Sequence, residues 1–336
     1  MRFGTIGTNF ISREFVAAGK KVQGFVLAAV YSRKLETAQA FSARFGGADC
    51  VSDLDELAAR TDVDAVYIAS PNLFHKEQAE RMLRAGKHVL LEKPACPSRV
   101  DFAELCAVAK ECGVVLLEAM RPAFTPGFYA LRGALEEIGP VRRVSFSYCQ
   151  YSSRYDAYKN GVIENAFNPA LCNGSLMDIG VYCVHALVAL FGMPEQVLAT
   201  VQKLGNGLDA QGGAQCVYPG MLADLSWSKI SDGCRQNEIQ GERGSLLIDS
   251  ISNPKHIVFV GRDKNQKVLY HDPDPEFFGM SHEIAAFMGF AAGLRETRAW
   301  ESYNRVTEDE LGLMDEIRRQ TGIDFKVQDL GKDERQ

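Results

Sequence analysis

Five short apolar runs, separated by segments of helical periodicity, fill residues 1–119, and no other feature narrows the fold as far. The runs are Arg2–Ile6, Phe25–Tyr31, Val63–Ala69, His88–Leu91 and Val114–Glu118. After the first, Phe10, Ile11, Phe15 and Val16 recur at helical spacing; after the second, Leu35, Ala38, Phe41 and Phe45 do so and stop at Gly46. A third helix is expected from about Phe74 to Gly86. Ser98 and Asp101 make a capping box for a fourth, which runs to Cys112 and stops at Gly113. Unbroken apolar runs belong to strands covered on both faces. Successive β-α-β connections wind right-handed, so the predicted fold class is α/β, beginning with a doubly wound parallel sheet of Rossmann type.

The pattern changes after Arg121-Pro122. Alternating strands are expected at Val144–Tyr148, Val197–Val201, Cys216–Trp227, Gln236–Gln240, Leu246–Asp249, His256–Val260 and Lys267–Tyr270. Only three helices stand out there, Ser175–Phe191, His282–Leu294 and Glu308–Gln320. Residues 120–336 therefore read as an α+β domain with a mainly antiparallel sheet, following a dinucleotide-binding domain over 1–119.

Charge excludes one class of partner. The 37 basic and 43 acidic residues leave a net charge of −6, and no basic run exceeds Arg142-Arg143, so nucleic acid is not expected. The most apolar long stretch, Ile179–Met193, has 15 residues and contains His185, short of the ~20 that a membrane span needs. A buried helix is expected there, and no membrane. The nine cysteines form no C-x-x-C pair and no zinc spacing, which points to reduced thiols, a cytoplasmic setting and no metal. A strand pattern within the first three residues leaves no room for a signal peptide.

The turn after the first strand is Gly7-Thr8-Asn9-Phe10-Ile11-Ser12, a degenerate form of the G-x-G-x-x-G fingerprint. Gly7 serves the tight turn. Asn9 stands where the second glycine would let backbone approach a pyrophosphate; asparagine is the non-glycine residue best suited to left-handed backbone, and its amide could donate to a phosphate oxygen. Ser12 is small enough for close helix–strand packing. The second strand ends in Tyr31-Ser32-Arg33, without the acid that holds a ribose 2′-hydroxyl. A guanidinium there suits a 2′-phosphate, so NADP(H) is expected over NAD(H), which stays possible.

With Glu92-Lys93-Pro94 at the end of the fourth run, the chain resembles the glucose–fructose oxidoreductase / inositol dehydrogenase (Gfo/Idh/MocA) family. The resemblance spans nearly the whole chain: Gly7; Ser70-Pro71-Asn72 followed by His75; the Glu-Lys-Pro tripeptide; Gly174-Ser175-Leu176-Met177-Asp178-Ile179-Gly180-Val181-Tyr182; and Gly241-Glu242-Arg243-Gly244-Ser245-Leu246. It implies that Thr8, Asn9, Phe10, Ile11, Ser70, Pro71, Asn72, His75 and Glu92 belong to the cofactor site with Gly7, Ser32 and Arg33, and that Lys93 lies beside the nicotinamide and the reacting oxygen. The chemistry agrees, since a strand-end ammonium faces the ligand crevice and can polarise a carbonyl or stabilise an alkoxide.

Asp178, Tyr182 and His185 stand at i, i+4 and i+7, on one face of an expected helix. Polar groups on an apolar helix need partners or a cavity. Satisfied core residues would fit the pattern too, His185 above all. Tyr182 replaces a histidine found in some family members, so the chain resembles the aldose and dihydrodiol branch more than the inositol branch. The phenol is the expected general acid/base. Arg121, Arg154, Phe167 and Asn168 lie in connections that could reach substrate. The implied activity is hydride transfer between a nicotinamide and a hydroxyl or carbonyl carbon of a sugar, polyol or cyclic diol, in a homodimer or dimer of dimers. A non-catalytic dinucleotide-binding sensor or regulatory protein is the alternative; it would need neither Lys93 nor Tyr182.

Overall fold

The computed structural model describes residues 1–274, 279–293 and 299–325. Leu294, the expected end of one helix, lies outside them. The described residues divide into two compact units, the first made of Met1–Met120 with Gly279–Glu308, the second of the segments between and after these. The first unit thus takes in a stretch from beyond residue 119.

In the first unit, β1 (Arg2–Ile6), α1 (Phe10–Gly19), β2 (Val26–Tyr31), α2 (Leu35–Ser42), β3 (Asp49–Val51), α3 (Leu54–Ala59), β4 (Ala65–Ile68), α4 (His75–Arg84), β5 (His88–Glu92), α5 (Arg99–Cys112) and β6 (Leu116–Ala119) follow in order. The sheet is parallel throughout, with order β3-β2-β1-β4-β5-β6. Strand order reverses between β1 and β4, and ligands of such sheets bind outside the strand ends at that switch point. Sequence periodicity gave no sign of β3, which has three residues, nor of α3, which Asp53 caps by accepting from the Asp55 and Glu56 amides. Phe15 stacks on Tyr67 of β4 with centroids 3.8 Å apart. Phe3 meets Phe287 of α9 (Met280–Ala292), the helix that packs on α1.

The second unit holds α6 (Pro126–Ile138), β7 (Val141–Cys149), α7 (Ser153–Lys159), a π-turn at Leu176–Gly180, α8 (Val181–Phe191), β8 (Gln196–Lys203), β9 (Asp209–Tyr218), β10 (Met221–Ser228), β11 (Asn237–Gly241), β12 (Gly244–Ile248), β13 (His256–Gly261) and β14 (Gln266–His271). α10 (Trp300–Thr321) contributes its later turns. The sheet order is β14-β13-β12-β11-β7-β10-β9-β8, antiparallel except between β7 and β10. The expected single strand Cys216–Trp227 is instead a hairpin: Pro219-Gly220 turns the chain, Gly220 takes φ +77°, and Met221 pairs with Tyr218. α6 went unnoticed although Thr125 caps it and Pro126 opens it, a favoured combination for a helix start. Pro169–Phe191 has the length and hydropathy of a membrane span, but 72% of its most apolar window is buried, as in a core helix.

Candidate active site

The turn after β1 departs from the expected form in one respect. Gly7 is at φ +107°, and a Cβ there would lie 2.8 Å from the Ala69 carbonyl oxygen, so the position requires glycine. Asn9, however, is extended (φ −75°, ψ −172°) rather than left-handed. It is the N-cap of α1: its Oδ1 accepts from the amides of Ile11 (3.0 Å) and Ser12 (3.1 Å), and its Nδ2 donates to Ala69 O at 2.8 Å. The amide expected to reach a phosphate is thus committed to fastening β1's turn to the end of β4. Phe10 is exposed and Ser12 is buried against the sheet.

Ser32 is half-buried and Arg33 exposed at the carboxyl end of β2. The neighbouring acid, Asp53, is occupied as the α3 cap. Burial pushes the Tyr31 phenol up, against the opposing charge of Arg33. After β4, Ser70 Oγ donates to Gln78 Oε1 at 2.7 Å, and Asn72 opens a 3₁₀ turn, almost wholly buried.

Lys93 follows β5, half-buried and joined to Pro94 by a cis peptide. Glu92 lies beneath it, 9% exposed, accepting from Tyr67 Oη (2.5 Å) and from the Lys93 amide (3.1 Å). Ala95 donates to Glu118 Oε1 at 2.8 Å, and Thr307 to Glu118 Oε2 at 3.0 Å. His75 is fully buried, its nitrogens facing the Ser70 and Pro94 carbonyls. Glu92 and His75, both expected at the cofactor, are buried, with polar atoms held by neighbouring protein groups.

In the second unit, the π-turn changes the register on which the single-face expectation rested. Asp178 is half-buried and accepts from Lys229 Nζ at the end of β10. The Tyr182 ring is half-buried, 5.7 Å from that of Tyr148. His185 turns into the core instead: it is 4% exposed, with Nδ1 2.7 Å from Glu310 Oε2. Lys229 and Asp209 were missed. Asp209, 1% exposed, gathers the Ser175 hydroxyl (2.5 Å), the Leu176 amide (2.6 Å) and Trp227 Nε1 (3.2 Å) on one oxygen, fixing the start of the turn that bears Asp178. Gly174 at φ +132° is required beside it, since a Cβ would fall 2.3 Å from Asp209 Oδ1. The signal for Lys229 is a lysine directly after a strand, as Lys93 directly follows β5.

Of the remaining substrate candidates, Arg121 donates to Ser252 O at 3.1 Å and Arg154 lies 3.5 Å from Glu164. Phe167 has no exposed surface; Tyr155, Tyr158 and the Lys229 ammonium pack around it. Asn168 accepts from the Ala170 amide at 3.0 Å, as a turn former does. Phe167, expected at the substrate, is thus packed in the interior beside Lys229.

A parallel sheet in Rossmann order, with a glycine turn at its switch point and a strand-end lysine beside it, has the form of a dinucleotide-binding domain. Residues 1–120 match the oxidoreductase family with an NAD-binding Rossmann fold, and residues 131–247 match the Gfo/Idh/MocA C-terminal domain. The chain belongs to the Gfo/Idh/MocA family and is an NAD(P)-dependent dehydrogenase or reductase acting on CH–OH groups. It is 44% identical over 327 residues to scyllo-inositol 2-dehydrogenase (NADP(+)) of Bacillus subtilis, covering 96% of this chain and 98% of that one. Identity to trans-1,2-dihydrobenzene-1,2-diol dehydrogenase of Bos taurus is 27% over 341 residues, covering 97% and 98%. A 3-ketoreductase from Actinomadura kijaniata, solved with NADP and TDP-benzene, superposes with a TM-score of 0.84 at 26% identity, covering 96% and 98%. Tyr182 is thus compatible with strong similarity to an inositol dehydrogenase.

Proposed function

We propose that this enzyme is an NADP(H)-dependent dehydrogenase of a neutral polyol or cyclic diol, with an inositol as the first substrate to test. The observation that carries the reading is 44% identity, across 96% of the chain, to an NADP-dependent scyllo-inositol dehydrogenase. The exposed Arg33 beside Ser32, with Asp53 committed to a helix cap, supports the 2′-phosphate form of the cofactor. When bound, that cofactor exchanges a hydride at its nicotinamide ring. Lys93 holds negative charge on the reacting oxygen. Tyr182 exchanges the proton, and Asp178, paired with Lys229, accepts from substrate hydroxyls. The same reading takes the protein as cytoplasmic, in keeping with nine dispersed cysteines that form no C-x-x-C pair, and as a homodimer or dimer of dimers.

Fluorescence titration with NADPH and NADH in one buffer tests the cofactor choice. NADPH is expected to bind more tightly, and Arg33→Ala to weaken NADPH far more than NADH; tighter NADH binding by the wild type would refute the choice. Turnover across inositol isomers, aldoses and cyclic diols tests the substrate class.

A further inference from the structure

We propose that His75 is a positioning residue, which ties the turn carrying Lys93 to the turn after β4 and makes no contact with the cofactor. The inference rests on the reading of Lys93 as the group at the reacting oxygen. The direction of the Lys93 side chain depends on the backbone of Lys93, Pro94 and Ala95, and side chains grip that backbone at three successive residues. The Lys93 amide donates to Glu92 Oε2 at 3.1 Å, the Pro94 carbonyl lies 3.1 Å from His75 Nδ1, and the Ala95 amide donates to Glu118 Oε1 at 2.8 Å. Glu92 belongs to the same strand and Glu118 to the adjacent one. His75 reaches across from the first turn of α4, and its Nε2 lies 2.9 Å from the Ser70 carbonyl. With its side chain wholly buried, it offers no surface to a ligand.

A neutral imidazole has one N–H to donate. The contact with the Pro94 carbonyl is fully buried, whereas that with Ser70 is only part-buried, so solvent can more readily serve Ser70. An unmet buried acceptor is the costlier one, which assigns the N–H to Nδ1 and to Pro94. Burial pushes the imidazole pKa down and favours that neutral ring. Loss of this bond would release the Pro94 carbonyl and let the Lys93 ammonium drift. Misplacing a catalytic group by about 1 Å can cost about a hundredfold in rate.

The experiment compares His75→Asn, His75→Gln and Lys93→Met by kcat, KM, NADPH affinity and thermal midpoint. Asparagine places an amide N–H near the Nδ1 position and glutamine near Nε2. His75→Gln is expected to lose about 10- to 100-fold in kcat, with the NADPH dissociation constant within about threefold of wild type. His75→Asn should retain most of kcat. Equal kcat values in the two variants, losses that merely follow the thermal midpoint, or weakened NADPH binding with intact kcat would each overturn the inference. A Lys93→Met variant near wild-type kcat would remove the catalytic reading and the inference together; an inactive Lys93→Met beside a fully active His75→Gln removes the inference alone. Neutron diffraction on the deuterated wild-type protein decides the matter even if the variants do not fold. Deuterium on Nδ1 facing Pro94 is expected, and a bare Nδ1 there would contradict it.

Discussion

Lys229 brings a cation to a place where an uncompensated charge is expensive, and Asp178 answers it. The Lys229 side chain is 7% exposed and that of Asp178 26%. Breaking a fully buried pair costs about 3–5 kcal/mol, and the exposure of Asp178 reduces this to about 1–2 kcal/mol for Lys229→Met. Urea unfolding measures that loss. The same substitution should raise substrate KM by about tenfold while leaving NADPH affinity unchanged, because the pair belongs to the second unit, to which the proposed function assigns the substrate. A weaker cofactor complex with unchanged KM would separate Lys229 from the substrate. Lys93 and Tyr182 stand out as candidates in the sequence because each sits in a distinctive short motif. Lys229 does not, because its partner lies 51 residues away and only the fold brings the two together. Asn9 shows the reverse. Its residue type is legible, but its conformation is not, because the acceptor of its amide, Ala69 O, lies just beyond the end of β4.

Elements at the site are fixed by buried polar anchors. Asp209→Ala would strip the acceptor from three buried donors at the start of the Leu176–Gly180 turn. At about 1–3 kcal/mol for each stranded donor, less whatever relaxation recovers, a loss of about 3–5 kcal/mol is expected by denaturant titration. Two histidines, His75 opening α4 and His88 opening β5, give a pH dependence. Burial holds the His75 and His88 pKa values below their ordinary 6.5, so the unfolded chain takes up protons first on acidification. The stability they contribute is complete above about pH 6.5 and is lost as the pH falls toward their folded-state pKa values. The thermal midpoint should therefore fall on acidification less steeply in His75→Asn than in the wild type; parallel curves would show that His75 is not depressed. Five of the six strands in the first unit were legible because doubly covered strands are continuously apolar. β3 is too short to show a period, and the β9–β10 hairpin was hidden by an alternation that carries straight through its turn.

For the whole molecule, the fold class was legible from the order of elements, since alternating β and α units and a later run of strands permit few architectures. The contribution of residues 279–308 to the first unit was not, because no local pattern reports which sheet a late helix joins. The proposed assembly draws support from the second sheet, where Leu198 on β8 is 63% exposed and Leu222 on β10 is 36% exposed. Sedimentation at micromolar concentration should find a dimer or tetramer, and charged substitutions at Leu198 and Leu222 should shift it toward monomer; a wild-type monomer would contradict the assembly.

On the proposed function, Lys93 and Tyr182 carry the chemistry of an NADP-dependent polyol dehydrogenase. The direct measurement is the steady-state rate of NADPH formation from an inositol or another polyol by wild type, Tyr182→Phe and Lys93→Met, with NADPH affinity and folding checked in parallel. Tyr182→Phe keeps the ring and removes the exchangeable proton, so kcat should fall by about two to three orders of magnitude with affinity intact. Lys93→Met should do at least as much damage, since it removes the charge that stabilises the alkoxide. A folded Tyr182→Phe enzyme with near-wild-type kcat would show that the phenol does not exchange the proton.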